Sequence, residues 1–267
     1  MSPAPAVTAP ADLRLLVLMY HGLHRDADDH GRFDPRYSVR PEAFERQMQR
    51  VRALRGGSWL PTVFGAARPP SGPAVMVSFD DGDASNADVA LPCLQKLGMG
   101  AVFFITSDFL GQRGMLSPSR LRDLADAGMV VGAHGATHRF LNTLTERELH
   151  DELQRSRCRL EDVCGTPVDT LALPGGRGGA RELAAARAAG YRLVFGSCPG
   201  INRGLDEDAL VRRVAITRGL GAQGFDQVLA WQGATVRRLR LRHRLLSVPK
   251  QLLGDVRYDR LREALVR

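Results

Sequence analysis

Cysteine is scarce in this chain: four residues among 267, at positions 93, 158, 164 and 198, with no Cys-x-x-Cys spacing. A disulfide framework is therefore excluded, and the four read as reduced, mostly buried small hydrophobes, with a redox pair left open for Cys158 and Cys164, six apart. Long apolar runs are missing too. The longest candidate spans residues 15–20, far short of the roughly 18 to 20 residues that cross a bilayer, which excludes a spanning helix. Residues 1–12 lack the basic and apolar regions of a secretory signal, so the sequence leads to the expectation of a cytoplasmic protein. No Walker sequence and no Gly-x-Gly-x-x-Gly turn after the first strand is present, which argues against nucleotide binding. A Gly-x-Ser-x-Gly elbow is absent as well, which argues against a serine hydrolase.

What is present is ordinary for a globular enzyme: 44% hydrophobic and 25% charged residues exclude disorder. The net charge of +8 is concentrated at the end of the chain. From Ala234 onward ten basic residues face three acidic ones, leaving only +1 for everything before. The basic character thus belongs to the tail and implies no nucleic-acid partner for the main domain.

Strand-like runs alternate with helical segments, the pattern of an α/β protein with a largely parallel sheet or barrel. Strands are expected at 13–20, 74–79, 101–106, 129–133, 170–173, 191–195 and 211–217. Helices are expected at 41–55, 89–97, 118–128, from the Thr145/Glu148 capping box toward Gly165, and at 180–189. Residues 225–253 read as an arginine-bearing helix broken or kinked at Pro249. Three regions result: a flexible 1–12, a catalytic 13–223 and a basic helical extension 224–267.

In such folds functional groups gather where strands end. Four strands end in suggestive residues: His21, Asp80-Asp81, His134 and Pro174-Gly175-Gly176. His134 and His138, four apart, would share one face of a helical turn and grip a cation together, or be two polar loop histidines. Asp80-Asp81-Gly82 reads either as turn chemistry or as two carboxylates aimed into a cleft. On the second reading one Asp and two His form a facial triad suited to Zn or another first-row divalent ion, and the other Asp is free as a base. A bound cation lowers the pKa of its water toward about 7, so a neighbouring carboxylate can deprotonate it to attack an amide or ester. Pro174-Gly175-Gly176 is equally readable as a tight turn or a substrate wall. His24, His30 and His150 read as exposed, and Trp59 and Trp231 as core.

These residues resemble the polysaccharide deacetylases, the NodB-homology domains of carbohydrate esterase family 4. Ser78-Phe79-Asp80-Asp81-Gly82 is similar to their first motif, His134-Gly-Ala-Thr-His138 to their second, and Leu173-Pro174-Gly175-Gly176 to a variant of their third. Met19-Tyr20-His21-Gly22 and the 38–57 stretch resemble members from bacterial exopolysaccharide systems. The resemblance covers roughly residues 14–217. It implies a distorted (β/α) barrel of about seven parallel strands, a metal held by Asp81, His134 and His138, and Asp80 as general base. The implied reaction removes acetyl from an N-acetylated sugar in a polysaccharide, oligosaccharide or lipid-linked precursor, with Zn expected and Co, Ni or Mn as alternatives.

Two departures stand out. The arginine that precedes the third motif's proline is missing, so Arg213 or Arg177 is expected to replace it, with Arg213 also a candidate substrate contact beside Pro174 and Gly175. The late Leu-x-His that supplies the general acid is also missing, which makes His21 a candidate proton donor. The tail's Leu239, Leu246 and Leu253 at seven-residue spacing among arginines would pack on the barrel or make peripheral contact with an anionic membrane. Two rival readings remain: a deacylase acting on a small non-polymeric amide, and a catalytically weak carbohydrate-binding protein.

Overall fold

The computed structural model describes residues 13–54, 73–203, 205 and 208–242. Its contacts divide the chain after Leu220 into two compact units. The first unit carries a single sheet. Strands β1 (Arg14–Tyr20), β2 (Pro73–Phe79), β3 (Val102–Ile105), β4 (Val130–Ala133), β5 (Thr170–Ala172) and β6 (Leu193–Phe195) pair in that order, each parallel to its neighbour. On the other side of β1 lie β7 (Ile201–Asn202), antiparallel, and β8 (Val214–Ala215), parallel. Seven strands therefore run one way. Val211 also bridges Phe195 of β6, so the short segment from Val211 to β8 links the last strand back to the first and curls the sheet into a distorted barrel.

The expected strands fall where the apolar runs placed them. The expected 211–217 strand shrinks to two residues plus the bridge at Val211, and β7 was not anticipated, because two residues carry no periodicity. β1 and β2 are buried at every position but the first, as befits parallel strands covered on both faces. Inside the barrel Leu15 and Val17, Ala74 and Met76, Val102 and Phe104, Ala172, Leu193, Phe195 and Val211 form one cluster, drawn from alternate strand positions.

Helices α1 (Pro41–Arg52), α2 (Leu91–Lys96), α3 (Pro118–Asp126), α4 (Glu146–Cys164) and α5 (Ala180–Ala188) lie where expected. α2 is entered through a π-helical turn, Asn86–Ala90. The Thr145/Glu148 capping box of α4 is formed. None of the four cysteines is buried, which corrects that expectation; Cys158 is exposed.

The second unit begins with α6 (Ala222–Leu229). The single basic helix expected from residue 225 is interrupted: Trp231, at φ 53° and partly exposed rather than core, separates α6 from a further helical stretch at 233–242. Trp59, Pro249 and the leucines at 246 and 253 lie outside the described residues, and the expected membrane contact finds no support in the described part of the segment. Among the described residues no helix is long and apolar enough to cross a membrane.

Candidate metal and catalytic site

The inward rows of the barrel continue past the strand ends, and that places the site. On β2 the row Ala74, Met76 and Ser78 arrives at Asp80 two residues later; on β1, Leu15 and Val17 lead to His21 in the same register. β4 delivers His134 and β5 Pro174 by the same alternation of two. Because these strands are parallel, all four residues rise at one rim.

Asp80 is 2% exposed and lies opposite Arg213, which has no exposed surface at all. The Arg213 guanidinium donates through Nη1 to Asp80 Oδ1 at 2.6 Å and through Nη2 to Oδ2 at 2.9 Å. Its Nε donates to the Gly196 carbonyl at 2.8 Å, which fixes the plane of the fork. Burial pushes the Asp80 carboxyl up, but Arg213 and then His134 outweigh it, so its pKa is lowered and it stays ionised. Arg213, expected as a replacement for the motif arginine and as a candidate substrate contact, is fully buried and pairs with Asp80. Arg177 does not. Its guanidinium sits 3.9 Å from the centre of the Phe140 ring.

Asp81 turns away from the strand. It has φ 77°, in the left-handed region that few non-glycine residues adopt, and Gly82 follows at 89°. This reversal aims the Asp81 carboxylate toward the histidines: Oδ1 lies 3.5 Å from His134 Nε2 and 3.2 Å from His138 Nε2. One ligand atom from each of the three falls within 4.8 Å of the others. Burial raises the Asp81 carboxyl, yet His138, His21 and His134 together hold it well below the carboxylate range. Burial depresses His134, against Asp80 and Asp81; His138 is raised, because Asp81 outweighs its burial.

The two histidines do not share a helical turn, which corrects the spacing argument. They stand in a loop with Gly135 at φ 75° and His138 at 64°, their ring centres 5.0 Å apart. Glu152 of α4, only 6% exposed, shapes that loop. Its Oε1 accepts from the amides of Ala136 at 2.9 Å and Thr137 at 2.6 Å and from the Thr137 hydroxyl. Nothing in the sequence singled out Glu152, because a lone Glu in an amphipathic helix reads as solvated.

The donor set fits a divalent cation. His134 Nδ1 lies 2.8 Å from the Ala172 carbonyl, which makes Nδ1 the protonated nitrogen and leaves the Nε2 lone pair facing Asp81. Asp81 Oδ1 is buried, forms no well-aligned hydrogen bond and faces the two imidazole Nε2 atoms, the kind of oxygen that a cation satisfies.

His21 stacks on Tyr37 with ring centres 4.7 Å apart, and its charge lowers both Asp80 and Asp81. Its Nδ1 is buried without a partner. Pro174 is buried and Gly175 exposed; Gly175 has φ 62°, and a Cβ there would come within 2.7 Å of the Phe140 ring, so this turn forms a wall beside the His loop. His24 was read as exposed and is completely buried: its Nδ1 lies 2.9 Å from Ser38 Oγ and its Nε2 3.2 Å from Asp83 Oδ1.

With that geometry in hand, the comparisons with known proteins agree. The sequence profile of the polysaccharide deacetylase family matches residues 67–194. Over that stretch, a little under half of the chain, the sequence is similar to the polysaccharide deacetylase family. YxkH of Bacillus subtilis, named for the same family, is 27% identical over 158 residues, 59% of this chain and 57% of that protein. The chain thus spans little more than half of that relative. Among solved structures, the polysaccharide deacetylase BC0361 from Bacillus cereus superposes with a TM-score of 0.70 at 28% identity, covering 81% of this chain and 69% of that one. IcaB from Ammonifex degensii follows with a TM-score of 0.66 at 25% identity, covering 82% and 98%.

Proposed function

We propose that this chain is a metal-dependent hydrolase of the polysaccharide deacetylase family that removes the acetyl group from an N-acetylated sugar. The observation that carries the reading is the buried Asp80–Arg213 pair standing beside the Asp81–His134–His138 cluster. A carbohydrate-binding protein has no use for a carboxylate buried, ionised and clamped by two charge-assisted bonds next to a set of cation ligands.

Asp81, His134 and His138 would hold the cation, with Zn favoured by two imidazoles and one carboxylate. Such an ion supplies Lewis acidity, drawing the pKa of a bound water down toward about 7 and stabilising developing negative charge on the acyl oxygen. Asp80 receives the proton of the attacking water; Arg213 keeps Asp80 ionised and fixes both of its oxygens. Water adds to the acetamide carbonyl, the carbon–nitrogen bond breaks, and the products are acetate and the free amine. We assign to His21, which follows β1 at the same rim and has a buried Nδ1 without a hydrogen-bond partner, the transfer of a proton to the departing nitrogen. The Pro174-Gly175 turn supplies one wall for the sugar. The catalytic domain is residues 13–223, with 224–267 as a basic extension.

Acetate release by metal-stripped protein resupplied with Zn, Co, Ni or Mn tests this, using N-acetylated mono- and oligosaccharides. Metal-dependent release that disappears in Asp80→Asn is expected. Release that is indifferent to metal, or that survives Asp80→Asn, would overturn it.

A further inference from the structure

The loop of residues 22–40 carries no regular secondary structure, yet it is held at many points. Arg218 donates to the carbonyls of His24 and Ser38, each at 2.9 Å, and of Arg25. The buried His24 lies between Ser38 and Asp83, and Asp83, two residues beyond Asp81, accepts from the Arg32 amide at 2.5 Å. Asp34 accepts from the amides of Arg36 and Tyr37 at 2.7 and 2.8 Å. The loop is thereby tied to the same turn that carries the Asp81 carboxylate.

This loop places two guanidinium groups over aromatic rings that neighbour residues of the site. Arg32 lies over the Phe109 ring, 5.3 Å from its centre, and Phe109 lies 6.0 Å from His138. Arg36 lies over Tyr37 at 5.2 Å, and Tyr37 stacks on His21. Two aromatic rings therefore connect two arginines to two residues of the site. Among the described residues neither guanidinium pairs with a carboxylate, and Arg32 is exposed. Of the loop's four acids, Asp26, Asp29 and Asp34 accept from amides of the loop, and Asp28 is exposed.

Inside the site, charge is already matched. Asp80 is paired with Arg213, and Asp81 faces the cation position. A neutral sugar needs no further positive charge, whereas two prepositioned, stacked guanidiniums form forks for an oxyanion. We propose that this rim selects an acetamido sugar that also carries an anionic group, phosphate or carboxylate, received by Arg32 and Arg36 while the acetamide enters among Asp81, His134 and His138. The inference rests on the deacetylase reading and names the substrate class it prefers.

The test compares acetate release by the metal-loaded full chain from N-acetylglucosamine 1-phosphate, from 2-acetamido-2-deoxyglucuronate and from neutral di-N-acetylchitobiose. Expected is a kcat/KM at least about tenfold higher for one of the two anionic sugars, carried mainly in KM and shrinking as salt is raised. The phosphate and carboxylate arms show which anion the forks fit. Arg32→Glu and Arg36→Glu should each collapse the anionic-to-neutral ratio. Equal kcat/KM on all three, or a ratio unmoved by Arg32→Glu, would overturn the proposal and leave the deacetylase reading standing. Calorimetric binding of N-acetylglucosamine 1-phosphate separates the two failures. Binding that is lost in Arg32→Glu, with no acetate from any sugar, would uphold the anion site and overturn the reaction; no binding and no release would overturn both.

Discussion

Asp80 is the clearest case of a residue whose behaviour is decided by one neighbour. In isolation a carboxylate buried this deeply would be driven toward its neutral form, and a neutral Asp80 takes no proton from water. Arg213 reverses that balance through two parallel bonds, which a lysine at the same position cannot reproduce. Arg213→Lys is therefore expected to lower kcat about a hundredfold with a smaller change in KM, measured as acetate release, because the base is misplaced. Arg213→Ala leaves an unpaired buried charge and is expected to destabilise the fold by about 3 to 5 kcal/mol in denaturant titrations. Asp169 is the opposite case. It is 5% exposed, its Oδ2 has no partner, and burial pushes its carboxyl up to about 7 against the opposing charge of Arg192. Its folded pKa exceeds its unfolded one, so the protonated form's contribution is complete below about pH 4 and is lost as pH rises through about 7. Asp169→Asn should therefore gain in melting temperature over the parent as pH is raised from 5 to 8; a difference independent of pH would contradict the assignment.

At the scale of elements, the site depends on a helix that contributes no ligand. Glu152 of α4 accepts from two amides and a hydroxyl of the loop between His134 and His138, and this holds His138 at a positive φ that the loop would otherwise relax. Glu152→Ala is expected to weaken metal binding about 10- to 100-fold in a competition titration, with Glu152→Gln intermediate because one acceptor oxygen remains. Unchanged affinity in Glu152→Ala would show that the loop holds itself. This example also marks how far the sequence is legible. The strand ends and their polar residues are readable because a period of two runs unbroken from Ala74 through Ser78 to Asp80. The four-residue spacing of His134 and His138 suggested a helical turn, but Gly135 and a remote glutamate impose a different path, and neither effect has a local signature. Long-range partners such as Glu152 and the His24–Asp83 contact exist only once α4 and the 22–40 loop are packed. Arg213 was within reach of the sequence as a replacement arginine; its complete burial was not.

At the largest scale, the first unit is a largely parallel barrel whose interior is apolar at one end and ionic at the other. Leu15, Met76, Phe104 and Phe195 fill the lower layers, while His21, Asp80, His134 and Arg213 form the layer above, so the energy that folds the barrel also assembles the site. The arrangement has a cost without metal. Asp81 and His138 both hold left-handed backbone conformations, and Asp81 Oδ1 is buried without a well-aligned hydrogen bond. A cation that binds only the folded barrel should stabilise it by about 2.7 kcal/mol at a hundredfold excess over its Kd. Thermal unfolding of the stripped protein across a Zn titration is expected to show a rising midpoint, and His138→Ala should flatten that rise. The metal-free variants carry a second expectation. His138→Gly should be more stable than His138→Ala by up to about 1 kcal/mol, because only glycine adopts the positive φ without strain while both substitutions remove the imidazole. If the two melted together, the backbone at position 138 would not be strained, and the Zn-dependent rise would reflect ligation alone.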